Sequence, residues 1–185
     1  ALAELGWEPV APFRPELLVS VNYYDDRLLA HLGTDIRHVD PGSITVTSHV
    51  RADGSDLYGL RYGQSGLYRA ANFYPLAEAG VEEIMAYPLP QAEEVVREEP
   101  ILARLKAIDA LDEEYALAGR AVASYGFFEM AQSLRKHDQL MMALMLEPEI
   151  VHALVGRLYD CYAAMIDRFL QIAGHRLDLL ELPGD

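Results

Sequence analysis

Residues 32–39, Leu-Gly-Thr-Asp-Ile-Arg-His-Val, show the pattern from which the fold is inferred. Polar and apolar side chains alternate over residues 35–39, and this period of two predicts a short strand. Pro41-Gly42 should end the strand, because proline and glycine favour turns. Before the strand we expect a helix over about 22–31, with Gly33 in the left-handed position that commonly follows a helix.

The second half of the chain is predicted to be mainly helical, with two further strands. The apolar runs 115–118 and 177–182 are typical of strands that helices bury in an α/β sheet. Strands that alternate with helices imply βα units, and such units build parallel sheets. The expected helices cover about 81–86, 91–97, 99–112, 127–134, 137–145 and 149–173.

Residues 44–73 differ in character and predict an antiparallel hairpin excursion from the parallel sheet. The segment 44–50 is rich in β-branched residues, and Asp53-Gly54 is a typical hairpin turn. Two more short strands are expected over 57–62 and 66–73. Aromatic side chains lie among these strands and either pack the excursion against the body or form a wall of a ligand pocket; they are Tyr58, Tyr62, Tyr68, Phe73 and Tyr74.

The composition of the chain argues against several classes of protein. Of its 185 residues 51% are hydrophobic, which is enough for a core, so disorder is not expected. The 15 Lys and Arg against 29 Asp and Glu give a net charge of −14, and such a surface repels nucleic acid. The sequence has no run of about 18 apolar residues, which is the length that would predict a membrane span. We expect a single domain over 1–185 and a cytoplasmic protein.

Cysteine and histidine usage predicts no metal site. Cys161 is the only cysteine, so no internal disulfide and no cysteine cluster for zinc can form. It lies in a predicted helix without a basic neighbour that would stabilise a thiolate, and a structural role is expected. The six histidines form none of the usual zinc motifs.

Residues near predicted strand ends are candidates for chemistry. His38 lies near the carboxyl end of a predicted parallel strand, where barrel enzymes place their catalytic groups. The same argument applies to Asp35, Arg37, Asp40 and Asp185, since a carboxylate in a pocket can act as a general acid or base. The alternative is structural: Asp40 would cap the turn that follows it, and Arg37 would pair with a surface acid.

Several segments together resemble the uroporphyrinogen decarboxylase-like superfamily. Leu32-Gly33-Thr34-Asp35-Ile36-Arg37-His38-Val39 is similar to the family segment LGxDxRxV, and Asp56-Leu57-Tyr58-Gly59 is similar to DxWG. Residues 74–77 and 86–90 resemble the stretch PLA…YPxP, and residues 126–129 with 144–149 resemble GxFE…LxxdPE. The shared order and spacing extend over about residues 17–185.

The resemblance implies a (β/α)8 TIM barrel, of which this chain would form a part, with the active site at the carboxyl ends of the strands. It implies cofactor-free decarboxylation of the acetate side chains of a tetrapyrrole, with Asp35 as the catalytic residue that holds the pyrrole N–H groups. Together with the strand-end argument, the candidates for substrate binding are Arg37, His38, Tyr125, Phe127 and Asp185.

Two alternatives stay open at this point. The same superfamily includes corrinoid-dependent methyltransferases, usually helped by zinc, and such an enzyme would act on a methylated compound. A binding protein without chemistry could instead use the aromatic segment 44–73 as its interaction surface. The expected partner of the enzyme is a small-molecule substrate. The chain could also form a homodimer, and we expect it to bind neither nucleic acid nor a membrane. A decarboxylase site should gather arginines around an acid, and those expected near its mouth are Arg37, Arg51, Arg61 and Arg69.

Overall fold

The computed structural model describes residues 3–8, 25–42, 51–66, 68–123 and 125–182, and this part of the chain contains five strands and seven α-helices. The strands are β1 (Ile36–Val39), β2 (Arg61–Ser65), β3 (Tyr68–Phe73), β4 (Ala116–Gly119) and β5 (Leu179–Leu180). The α-helices are α1 (Asp26–His31), α2 (Val81–Ala86), α3 (Ala92–Val95), α4 (Glu98–Asp109), α5 (Phe127–Arg135), α6 (His137–Leu146) and α7 (Pro148–Ala173).

Strands β1, β4 and β5 form a parallel sheet in the order β1-β4-β5. In register, Ile36 of β1 lies level with Ala116 of β4, and Ala118 of β4 lies level with Leu179 of β5. The parallel arrangement predicted from the alternation of strands and helices is confirmed.

Helix α7 is the centre of the helical layer and packs against α2, α3, α4, α5 and α6. It begins at Pro148, which suits a first-turn position because that position has no helical hydrogen bond to lose. The buried side chains of α7 share the core with Val39 of β1 and Leu117 of β4. They are Ile150, Val151, Leu154, Leu158, Tyr162, Met165, Phe169 and Ala173.

The two faces of the parallel sheet differ in burial. Arg37, Val39 and Leu117 are buried, whereas His38 and Ala118 are only half-buried. Successive side chains of a strand point to opposite faces. Helices therefore pack one face of the sheet, and the other face is partly open.

Gly119 lies where helix α7 meets the packed face. A Cβ atom at this position would lie 2.8 Å from Cε1 of Phe169 and 2.7 Å from Cδ1 of Leu177. These separations are shorter than van der Waals contact. A larger residue at this position would therefore force Phe169 and Leu177 to shift.

The predicted (β/α)8 barrel, whole or partial, is wrong. The described residues form three short parallel strands and a separate antiparallel pair, not a succession of single strand–helix units. The hairpin and helices α2, α3 and α4 lie between β1 and β4, and helices α5, α6 and α7 lie between β4 and β5. Strands of two to four residues form a small open sheet here, because closure into a barrel needs more strands at a steady tilt.

The antiparallel excursion predicted over 44–73 is confirmed in part. Strands β2 and β3 pair antiparallel, but β2 begins at Arg61 rather than at residue 57. The cause is Asp56, whose Oδ1 accepts hydrogen bonds from the backbone amides of Tyr58 and Leu60, both at 2.9 Å. These bonds hold a turn where a strand was expected, and the first predicted strand, 44–50, lies outside the described residues.

Helix α1 is confirmed with a later start. It begins at Asp26, and the side chain of Asp25 caps it by accepting a hydrogen bond from the amide of Arg27 at 3.0 Å. Gly33 follows the helix with φ +69°, the left-handed conformation that was expected. The predicted onset near residue 22 lies outside the described residues.

Candidate functional site

Four polar side chains meet at the carboxyl edge of the parallel sheet, and we call them the rim cluster. His38 is in β1 and Asp40 follows it, Arg120 follows β4, and Glu181 follows β5. The amides of Arg120 and Glu181 each donate to a carbonyl of the neighbouring strand, at 2.9 and 2.8 Å. These bonds continue the sheet pairing beyond the strand ends and bring the four residues level.

The alternation of side chains puts the rim cluster on the open face of the sheet. His38 and Asp40 are two residues apart on either side of the buried Val39, so they share the face opposite to it. In register, His38 lies level with Ala118, and Arg120 follows Ala118 by two residues. The side chain of Ala118, on the central strand next to the cluster, is only a methyl group. Ligands of open parallel sheets bind at this edge, outside the carboxyl ends of the strands.

Arg120 and Glu181 form an ion pair within the cluster. Nε of Arg120 lies 2.9 Å from Oε2 of Glu181, and the two side chains are 30% and 54% exposed. Ion pairs with this exposure contribute little to stability. Exchange of Glu181 for the carboxylate of a ligand would therefore change the free energy of the protein little.

Asp40 has a raised pKa. Burial of its carboxyl group is the largest cause, the guanidinium groups of Arg120 and Arg104 and the imidazole of His38 oppose it, and the charge of Glu181 adds to it. The protonated acid is therefore more populated than in an exposed aspartate. A group of this kind can deliver a proton to a bound substrate.

His38 has a lowered pKa. Burial of the ring is the largest cause, and the positive charge of Arg120 adds to it, while the carboxylates of Asp40 and Glu181 act in the opposite direction. The lowered pKa favours the neutral imidazole, which has one nitrogen that can accept a hydrogen bond.

Arg104 of helix α4 supports the cluster from behind β1. Its Nε donates to the backbone carbonyl of His38 at 2.8 Å. Its two terminal nitrogens donate to the carboxylate of Asp26 at 2.5 and 2.9 Å. This one guanidinium thus joins α4, β1 and α1.

The structure separates the residues predicted at the end of β1. His38 belongs to the rim cluster, and so does Asp40. Asp35 is exposed and precedes β1, so it lies at the amino edge, and its predicted position at the carboxyl edge is wrong. Arg37 is fully buried on the packed face, with its guanidinium 3.6 Å from the centre of the Tyr115 ring.

The remaining predicted binding residues lie elsewhere or outside the description. Tyr125 is half-buried after β4, where burial raises the pKa of its hydroxyl and the charges of Glu129 and Asp56 add to the rise. Phe127 begins α5 and packs edge-to-face on Tyr159, with 6.3 Å between the ring centres. Asp185 lies outside the described residues.

Two of the arginines expected around the site make their contacts elsewhere in the molecule. Arg51 donates to the carbonyl of Leu57 at 2.9 Å, and Arg61 pairs with Asp53 at 3.2 Å. Both therefore bind their own turn and hairpin. The side chain of Arg69 lies outside the described residues.

Sequence reasoning missed Arg120, Glu181 and Arg104 as members or supports of the site. Arg120 comes just after a predicted strand, which is the signal that singled out Asp40. Glu181 lay inside the predicted strand 177–182, and only the shorter β5 places it at a strand end. Arg104 carries no such signal, because its role depends on how α4 crosses β1.

A cavity of about 540 Å³ lies at the opposite, amino edge of the sheet. Tyr115 and Asp178, which precede β4 and β5, contribute to its wall. Acidic residues outnumber basic ones in its lining, so it is unfavourable for an anionic molecule; the acidic residues are Asp109, Asp112, Glu113, Glu114 and Asp178.

Cys161 behaves as the structural residue that was predicted. Burial raises the pKa of its thiol to about 11, and Sγ donates to the carbonyl of Pro90 at 3.4 Å. Among the described residues, no three His, Cys, Asp or Glu side chains are grouped so that they could hold a metal ion. None of the helices in the described ranges is long and apolar enough to cross a membrane.

Comparison with known proteins identified no relative of this chain. No protein-family model matches the chain, and neither the curated proteins nor the solved structures gave a match. The resemblance to uroporphyrinogen decarboxylases therefore stays a prediction from the motifs.

Proposed function

We propose that the chain is an enzyme that decarboxylates a small molecule at the rim cluster, with the acetate side chain of a tetrapyrrole as the substrate that the motifs suggest. The observation that supports this is the half-buried Asp40, an acid with a raised pKa beside the guanidinium of Arg120. A decarboxylation needs both a proton donor and a cation that holds the departing carboxylate.

The net reaction, R–CH2–COO⁻ + H⁺ → R–CH3 + CO2, consumes one proton. Asp40 in its acid form protonates a ring carbon, which lets the ring accept the electron pair of the breaking C–COO⁻ bond. After CO2 leaves, the methylene carbon takes a proton from solvent, and the ring carbon returns its proton to Asp40. Atoms and charges balance without a cofactor.

Arg120 and His38 have supporting roles in this proposal. The guanidinium of Arg120 binds the substrate carboxylate in place of Glu181, since a charged hydrogen bond fixes the orientation of the group that reacts. The neutral imidazole of His38 accepts a hydrogen bond from a ring N–H group through its one unprotonated nitrogen. The ring would lie on the face of the sheet that carries Ala118, whose side chain is small.

Of the alternatives, a binding protein without chemistry predicts that no carboxylate at the mouth has a perturbed pKa. The pKa of Asp40 is raised, which disfavours this alternative. No observation in the described part of the chain favours methyl transfer.

The test compares Asp40→Asn with Asp35→Asn, which the sequence alone would have chosen. The protein is incubated with uroporphyrinogen under anaerobic conditions, and the loss of carboxyl groups is followed by chromatography of the oxidised products. We expect Asp40→Asn to lower the rate by about a hundredfold or more, because the proton donor is lost. Asp138→Asn, on the exposed surface of α6, serves as a matched control that should keep the rate of the wild type.

Two results would contradict the proposal. One is the absence of turnover by the wild-type chain. The other is loss of turnover in Asp35→Asn together with full turnover in Asp40→Asn, which would move the chemistry to the amino edge of the sheet.

A further inference from the structure

Helix α1 is attached to the body through charged contacts. No side chain of the helix is fully buried, and of its apolar side chains only Leu28 and Leu29 are half-buried. Its first residue, Asp26, instead receives two hydrogen bonds from Arg104, at 2.5 and 2.9 Å. A bidentate pair of this geometry is among the stronger ionic contacts in proteins.

The same carboxylate also faces a second guanidinium. Nε of Arg37 lies 3.4 Å from Oδ1 of Asp26, and the Arg37 side chain is fully buried. Asp26 therefore separates two cations that would otherwise repel each other. Removal of its charge would take an acidic partner from the buried guanidinium of Arg37, which is unfavourable.

Arg104 connects this contact to the rim cluster. While its terminal nitrogens hold Asp26, its Nε holds the backbone carbonyl of His38 at 2.8 Å. The guanidinium is planar and rigid, so a change at one end alters the geometry at the other. His38 and Asp40 follow the backbone that this bond fixes.

We propose that Arg104 is a positioning residue, and that its contacts with Asp26 and His38 form an ionic latch that couples the docking of α1 to the geometry of the rim cluster. The latch concerns regulation of the site in the proposed function. Its test uses no substrate, so failure of the latch and failure of the proposed function are separate results.

The test measures two properties of Asp26→Asn and Arg104→Gln in the full chain. Amide hydrogen exchange follows α1 through the amides of Leu29, Leu32 and Thr34, which are bonded within the helix and its end. We expect about tenfold faster exchange in both variants, since a partly buried charged pair is lost. The second property is the pKa of His38, followed by NMR titration of the imidazole.

The pKa of His38 distinguishes the latch from general loosening of the helix. The ring is faced by Arg120, Asp40, Glu181 and Arg104, of which Arg104 alone is changed by the latch. Arg104→Gln removes a positive charge and should raise the pKa of His38. Asp26→Asn leaves that charge uncompensated and should lower it. A merely structural role would not shift the two variants in opposite directions.

A matched control is Asp109→Asn, which breaks the Asp109–Arg176 pair at the amino edge of the sheet. It should leave both the exchange of α1 and the pKa of His38 unchanged. Exchange of α1 within twofold of the wild type in Asp26→Asn overturns the latch, and so do shifts of His38 in the same direction. If a variant fails to fold, Arg104→Lys takes its place, because it keeps the positive charge but loses the planar fork that binds Asp26 and His38 together. Exchange of α1 within twofold of the wild type in Arg104→Lys also overturns the latch.

Discussion

At the level of single residues, Gly119 and Asp40 depend on their surroundings in opposite ways. Gly119 is needed because Phe169 and Leu177 occupy the space where a side chain would lie. Asp40 is usable as an acid because its surroundings disfavour its charge. Neither property can be read from the residue type, since glycine also ends turns and aspartate also caps them.

The substitution Gly119→Ala should destabilise the protein by about 1–3 kcal/mol, because the new methyl group overpacks the contact between α7 and β4. The measurement is the free energy of unfolding from urea denaturation. Gly156→Ala, in the interior of α7, is the matched control, since no atom lies within 4 Å of the added Cβ. It should instead stabilise the protein by about 0.5–1 kcal/mol through helix propensity. Equal effects at both positions would contradict the contact described for Gly119.

The raised pKa of Asp40 predicts a pH dependence of stability. The folded state holds the proton of Asp40 more tightly than the unfolded state, so this group stabilises the fold at low pH, and the contribution is lost as pH rises from about 4 through the folded pKa. Asp40→Asn cannot ionise, and its stability relative to the wild type should increase between pH 4 and 7. Urea midpoints at several pH values measure the difference.

Asp25 supplies the opposite sign as a control. Its hydrogen bond with Arg27 lowers the pKa of its carboxyl group, so Asp25 stabilises the fold above the unfolded pKa and loses that contribution as pH falls. Asp25→Asn should therefore become less stable relative to the wild type as pH rises. Parallel trends in the two variants would count against the assignment for Asp40.

At the level of elements, hydrogen bonds between side chains and the backbone explain where strands and helices begin at residues other than those predicted from the hydrophobic pattern. The pattern is right for helices α2, α5, α6 and α7, whose bounds differ from the expected ones by at most one residue at each end. It fails at residues 57–60, because the carboxylate of Asp56 binds the amides that a strand would have used for pairing. Competition of this type depends on a single side chain and does not change the period of the sequence.

Removal of the Asp56 carboxylate should therefore destabilise the hairpin. Asp56 is buried and accepts hydrogen bonds from two amides and from the hydroxyl of Tyr62 at 3.0 Å. Asp56→Ala leaves these donors without acceptors, and we expect a loss of about 3 kcal/mol or more in the free energy of unfolding. Asp53→Ala, in the exposed part of the same turn, should cost less than Asp56→Ala. Urea denaturation compares the two, and a smaller loss for Asp56→Ala would contradict the role of this carboxylate.

At the level of the whole molecule, the sequence predicted the parallel sheet but not its extent. The alternation of polar and apolar residues over 35–39 located β1, and the apolar runs located β4 and β5, because buried strands require such runs. The motifs then suggested a barrel, which local pattern cannot test, since closure depends on strand number and tilt. The site was predicted in part for the same reason: His38 and Asp40 follow from one strand, whereas Arg120 and Glu181 join them only through the order of three strands.

Because the thiol of Cys161 is unreactive, a fluorescent dye can be attached selectively next to the rim cluster. With a pKa of about 11, only about one thiol in a thousand is ionised at pH 8, so maleimide dyes react with it slowly. The exposed Leu182 directly follows Glu181. A dye attached to the new thiol of Leu182→Cys would therefore report on ligand binding at the carboxyl edge, while the native thiol stays unlabelled.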